Sequence, residues 1–318
     1  MWHWTSFSTL PGQEAPKTGA DQLTTSAALI GATIISFSAI FFALSGADPI
    51  TGAFYRVGYA IPVLFVIWWV RRHLDNRSTR SRWLALAAGV ALGLDMLSWH
   101  TSIGYIGAGL ATLIANVQVV LVAIAAWVFF GERPPRVVVY AIPVILVGVA
   151  LVSGLGQDNA FGSNPLRGTL LALLAAVFYA IFLLTMKFTN TVQAPAAGPL
   201  LEVSFGGLVT LSIIGLLGPG IDIGFDWPSS GWLLVLALGP QVVAWLLIGY
   251  ALPRLPAAET ATIVLLQPAL TMIWAAIIFD ERPSPLQIVG AVTVMVGVGV
   301  VAIASARAGR QARIMAAA

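Results

Sequence analysis

Apolar runs of about 20 residues, parted by short breaks rich in Gly, Pro and charge, recur along nearly the whole chain. Each is long enough to cross a hydrocarbon core of about 30 Å as a helix. The breaks delimit ten spans, near 24–45, 50–70, 83–103, 107–130, 137–154, 166–186, 197–217, 231–252, 256–279 and 285–305. Barrel strands are shorter and alternate in polarity, whereas runs this long must satisfy their backbone internally. The pattern predicts an all-α polytopic membrane protein with ten transmembrane helices.

Composition agrees. Of 318 residues 58% are hydrophobic and 9% charged, against roughly 25% charged in a soluble domain. The chain has no cysteine, which excludes disulfides and thiolate metal sites. No short apolar core followed by a small-residue cleavage site opens the chain, so the first span is expected to stay in the mature protein. No basic, aromatic-interleaved patch points to nucleic acid. The expected partners are the lipid bilayer and a small molecule, and the chain is read as a monomer.

Lys and Arg placement orients the spans. With the N-terminus inside, 13 of the 16 basic residues fall on the cytoplasmic side, among them Lys17, Arg71, Arg72, Arg77, Arg80, Arg82, Arg133 and Arg136. Only Arg56, Arg167 and Arg282 fall outside. Ten spans then return the C-terminus to the cytoplasm. The expected location is the cell (inner) membrane.

The chain also matches itself at an offset of 149. Phe130, Glu132, Arg133 and Pro134 recur as Phe279, Glu281, Arg282 and Pro283, and Gln118 recurs as Gln267. Ser81 and Trp83 recur as Ser230 and Trp232, and Gly148 as Gly297. Each repeat holds five spans, an odd number, so the two halves must sit in opposite orientation. The expected organisation is a cytoplasmic tail at 1–22, a first five-helix repeat at 23–155, a second, inverted five-helix repeat at 165–305 and a cytoplasmic tail at 306–318. Inverted repeats place a substrate site near the membrane midplane, between the halves.

The unit ending Trp127-Val-Phe-Phe-Gly-Glu-Arg-Pro, followed by the Gly148 span, resembles the EamA unit of the drug/metabolite transporter (DMT) superfamily. The second copy, with Gln267-Pro268 and then Phe279-Asp-Glu-Arg-Pro, is the better match, and the resemblance covers about residues 24–305. In general pattern it is most similar to the YddG-type exporters of aromatic and other amino acids. The resemblance implies export of amino acids, aromatic or neutral ones above all, by alternating access. A drug or other metabolite exporter, for nucleosides or cationic compounds, is the alternative, followed by an intramembrane enzyme or a channel.

Polar groups deep in spans are costly and are functional candidates by default. Asp95 and Trp99 are four residues apart and share a helix face, where a substrate ammonium could rest on the carboxylate and the indole. Ser102 continues that face, and His100 lies about 100° round the helix from Trp99. Asn116, Gln118 and Gln267 can donate to a carboxylate and accept from an ammonium without a net charge. The competing reading makes these groups helix-to-helix hydrogen bonds. Tyr179 and Trp245 are mid-span aromatics that either line a cavity or pack.

Arg56, Glu202, Gln241 and Pro268 are gating or ion-pair candidates. Arg56 is close enough to a span end to snorkel outward, and Glu202 near a span start reads as an interfacial anion. Pro268 removes a helix hydrogen bond and frees a carbonyl. Trp83 and Trp232 read as interfacial anchors. Both Glu-Arg-Pro runs read as punctuation, with the carboxylate near the N-terminus of the helix that follows. Gly89 and Gly93 form a weak GxxxG face. No catalytic constellation, metal cluster, cofactor motif or Walker-type phosphate loop occurs, so neither an ATP-driven pump nor an enzyme is expected.

Overall fold

The computed structural model describes residues 19–130, 134–187, 196–218, 220–251, 254–255 and 257–317. Lys17, Glu132, Arg133 and nearly all of the expected N-terminal tail lie outside them. Among the described residues every regular element is helical.

The first span is a broken helix, α1 (Gly19–Ser36) followed by α2 (Ser38–Ser45). At the break the Ser36 carbonyl accepts a bond from the Thr271 hydroxyl at 2.8 Å, so the interruption is satisfied from a distant helix. Gly46, in the left-handed region, ends α2. The next helix, α3 (Pro49–Arg71), starts where its sequence says it should. Asp48 caps it by accepting from the Ile50 and Thr51 amides at 3.1 and 3.0 Å, and proline occupies the first turn.

Helix α4 (Thr79–Ala115) holds two expected spans, parted at Gly107 with φ 79° and ψ 169°. A straight helix would hold Leu92 and Asn116 about 36 Å apart, yet both line one small cavity. The chain therefore doubles back at Gly107, a conformation that glycine adopts without Cβ strain. The first repeat closes with α5 (Gln118–Phe130) and α6 (Arg136–Val152).

The second repeat comprises α7 (Pro165–Lys187), α8 (Ala197–Leu217), α9 (Ser229–Leu236), α10 (Trp245–Ala251), α11 (Ala257–Phe279) and α12 (Pro285–Ala317). A π-helical turn at Ala237–Ala244, containing Pro240, joins α9 to α10 within a single span. Helix α12 continues past the expected end of its span at 305, so the described part of the second tail is helical.

Seven described stretches are long and apolar enough to cross a membrane, one being the doubled-back 79–129 segment. With the shorter apolar helices at 136–152 and 265–279, they account for the ten expected spans. Large apolar side chains such as Val66, Val70, Leu216 and Val296 face outward, where lipid would lie. Trp83 is exposed with them, as an interfacial anchor would be, but Trp232 stacks on Phe41 and belongs to the packing.

The repeats are not separate bodies. Helix α4 packs most extensively on α7 and α8, α3 packs on α8, and α6 packs on α12. The α4–α8 contact is close and backbone on backbone, with Gly89 of α4 against Val203, Gly206 and Gly207 of α8. Without a hydrophobic drive between helices in lipid, such close backbone contact supplies the attraction. The GxxxG face is thus an interface between repeats.

A side chain at Gly206 has no room, because its Cβ would stand 2.1 Å from the Leu86 carbonyl oxygen. Gly206→Val should cost about 1–3 kcal/mol or more through overpacking, read as a lower thermal midpoint in detergent. Gly104→Ala, with no atom within 4 Å of its new Cβ, should leave the midpoint unchanged or raise it.

Candidate functional site

Residues of both repeats close around one small cavity of about 60 Å³. From the first repeat come Ser38, Arg56, Asp95, Trp99, Thr112 and Asn116, with apolar Ile35, Leu92, Met96 and Ala115 between them. Tyr179, Trp245 and Gln267 come from the second. The i, i+4 spacing of Asp95 and Trp99 does put both on the cavity wall. Asn116 lies in the break between α4 and α5, where its amide nitrogen donates to the Thr112 carbonyl at 2.8 Å. Tyr179 stacks on Phe182 at 5.6 Å, and Trp245 meets both rings near edge-on, which fixes the aromatic wall.

Arg56 is the residue that sequence reasoning misplaced. It does not snorkel outward: it is 5% exposed and lines the cavity. Its Nε donates to Gln241 Oε1 at 3.0 Å, and its guanidinium lies 5.7 Å over the Trp99 ring. The cation on that indole is therefore the protein's own. Gln241 reaches Arg56 from the π turn, a wider coil that shifts side chains out of α-helical register and recurs at functional sites. Arg56 and Asp95 feel each other's charge, yet they form no ion pair within 4.0 Å.

The other candidates lie elsewhere. His100 is fully buried, stacked on Phe42 with ring centroids 3.8 Å apart, and its Nδ1 is 3.3 Å from the Pro49 carbonyl. Its turn of about 100° from Trp99 points it at α2 and α3 instead of the cavity. Ser102 donates to the Gly168 carbonyl at 2.8 Å, so the polar face does not continue past Trp99. Gln118 is buried at the start of α5, off the lining, although its repeat mate Gln267 is on it. Pro268 is buried within α11, which runs through it.

Two polar links join the repeats away from the cavity lining. At the α3–α4 junction the Arg77 guanidinium forks between two carboxylates, donating to Asp75 at 2.8 and 2.9 Å and to Glu202 at 2.7 and 3.0 Å. Trp68 Nε1 also donates to Asp75, at 3.0 Å. Glu202 is thus an ion-pair partner instead of a bare interfacial anion. At the Gly107 turn the Glu281 carboxylate accepts from the Ala108 and Gly109 amides at 2.6 and 3.1 Å. It caps a helix N-terminus, as expected of that motif, but the helix is in the other repeat and not the one that follows Glu281. No local signal in the sequence marks that pairing.

Ten apolar spans in two interlocked repeats, enclosing a polar cavity, define a two-repeat, multi-pass membrane transport fold. The EamA-like transporter family matches residues 22–154 and again 166–303, and the chain belongs to that family. An uncharacterised transporter of Archaeoglobus fulgidus is 27% identical, over 83% of this chain and 91% of its own length. The threonine/homoserine exporter RhtA of Escherichia coli K12 is 27% identical, over 80% of this chain and 81% of its own. A solved crystal structure shares the fold with a TM-score of 0.57 at 17% identity, over 88% of this chain and 96% of that one.

The ion-pair cluster has a pH signature. Burial pushes the Asp75 carboxyl up, but the Arg77 and Trp68 hydrogen bonds and the Arg77 charge outweigh it and hold the group at about 2. A carboxyl depressed in the folded state gives stability that is present above its unfolded pKa, near 4, and lost as pH falls through about 2. The thermal midpoint in detergent should fall between about pH 4 and 2 in part through this group. Asp75→Asn should lower the midpoint at neutral pH and flatten that part of the acid loss.

Proposed function

We propose that the protein is a secondary transporter that exports small polar amino acids across the cell (inner) membrane by alternating access around this cavity. The observation that carries the reading is the cavity itself: one small polar chamber between two repeats, lined by both an Arg and an Asp. Ionisable groups at that depth are costly and are functional candidates by default. The buried Ser38, Trp99 and Thr112 polar atoms also lack partners among the described residues, which favours a polar cargo. The threonine/homoserine exporters among its relatives point the same way.

Size argues between the expected substrate classes. A chamber of about 60 Å³ lies well below the roughly 300–1,000 Å³ of pockets that take drug-sized ligands. Trp99, Tyr179 and Trp245 already form part of its wall. Small neutral amino acids are therefore favoured over the aromatic ones that the sequence resemblance suggested, and over drugs. Ten spans with both termini cytoplasmic, and repeat boundaries at 23–155 and 165–305, complete the proposal.

Counterflow in liposomes is the test. Vesicles loaded with unlabelled L-threonine should accumulate labelled L-threonine and L-homoserine saturably, and labelled L-phenylalanine or a cationic dye at least about tenfold more slowly. Dye transport in preference to amino acids, linear flux without counterflow, or chemical conversion of the substrate would each overturn the reading.

A further inference from the structure

Resting on that transport reading, we infer that the cavity grips its cargo by two charged ends, Arg56 taking an α-carboxylate and Asp95 an α-ammonium. The two side chains line one chamber and are ionisable with opposite sign, yet stand more than 4.0 Å apart. A direct ion pair would quench both. Their separation leaves each able to bond something between them.

Arg56 is pre-set for this role. Of its donors, Nε is committed to Gln241 and one face of the guanidinium to Trp99. The two terminal nitrogens bond no described residue. They present the forked pair of N–H donors that matches a carboxylate bidentately. Because Gln241 holds Nε and the π turn holds Gln241, the fork is aimed before any ligand arrives.

Asp95 is its complement. Its carboxylate makes no hydrogen bond or ion pair with a described residue, so the strongest local acceptor in the chamber is unused. An ammonium supplies three donors to such a group. A zwitterion placed between the two adds no net charge to the membrane interior and pairs both buried charges at once. An amide in place of the carboxylate, or a hydroxyl in place of the ammonium, leaves one charge uncompensated, which a low-dielectric site penalises.

Binding of labelled L-threonine to the detergent-solubilised full chain tests this, with L-threonine amide and the 2-hydroxy acid that lacks the ammonium as competitors. In the wild type each competitor should bind at least about tenfold more weakly than L-threonine. Arg56→Gln should bind L-threonine weakly and erase the discrimination against the amide while keeping that against the hydroxy acid. Asp95→Asn should do the opposite. A general packing defect would weaken all three ligands alike. Should Arg56→Gln fail to fold, Arg56→Lys keeps the charge without the fork, and should weaken L-threonine while the order of the three ligands holds. Discrimination unchanged in both neutral variants, or the crossed pattern reversed, overturns the assignment and leaves the transporter standing. Absence of both binding and counterflow for every amino acid in the wild type overturns the transport reading itself.

Discussion

A buried guanidinium governs the centre of this protein. Arg56 sits eight residues into α3 and is 5% exposed, at a depth where an uncompensated charge costs at least several kcal/mol. The surrounding structure is arranged to hold it. Gln241 accepts from its Nε, Trp99 offers its ring face, and Asp95 lines the same cavity without pairing to it. Each demands something of its own helix. Gln241 is delivered by a π turn at Pro240, and Trp99 needs α4 in one rotational setting. That setting also puts Asp95 on the cavity wall and turns His100 away into the packing against Phe42.

The rest of the fold keeps that centre closed. Glycine contacts between α4 and α8 bring the repeats within backbone distance. The doubled-back turn at Gly107 returns Thr112 and Asn116 to the cavity and is capped from the other repeat by Glu281. The Arg77 fork ties the α3–α4 junction to α8 through Glu202. All three links cross between repeats, so relative movement of the repeats must break or shift them. Two of the three are hydrogen-bonded carboxylates, which can let go and re-form within one fold more readily than the packed glycine seam. That suits a family whose members are transporters.

Much of this was legible in the chain alone. Span number, the two-repeat plan and the family follow from hydropathy and from the 149-residue self-match, because both are linear patterns. Asp95, Trp99, Asn116, Tyr179, Trp245 and Gln267 stood out as polar or aromatic groups inside apolar runs, and all six line the cavity. Depth and rotation were not legible. Arg56 looked close to a span end, but the Asp48 cap sets where α3 begins, and Gln241 and Trp99 hold the guanidinium inside. Gln118 and Gln267 are repeat mates, and only one reaches the lining, since the repeat is approximate at the side-chain level. The Glu281 cap joins residues 173 apart, a pairing that no local motif encodes.

The most direct measurement is an experimental structure of the protein bound to L-threonine. Ligand density is expected between α3 and α4, with the carboxylate about 3 Å from the terminal nitrogens of Arg56 and the ammonium on Asp95. Density outside the chamber between the repeats, or inside it with the carboxylate turned toward Asp95, would contradict a buried pair that grips a zwitterion by its two ends.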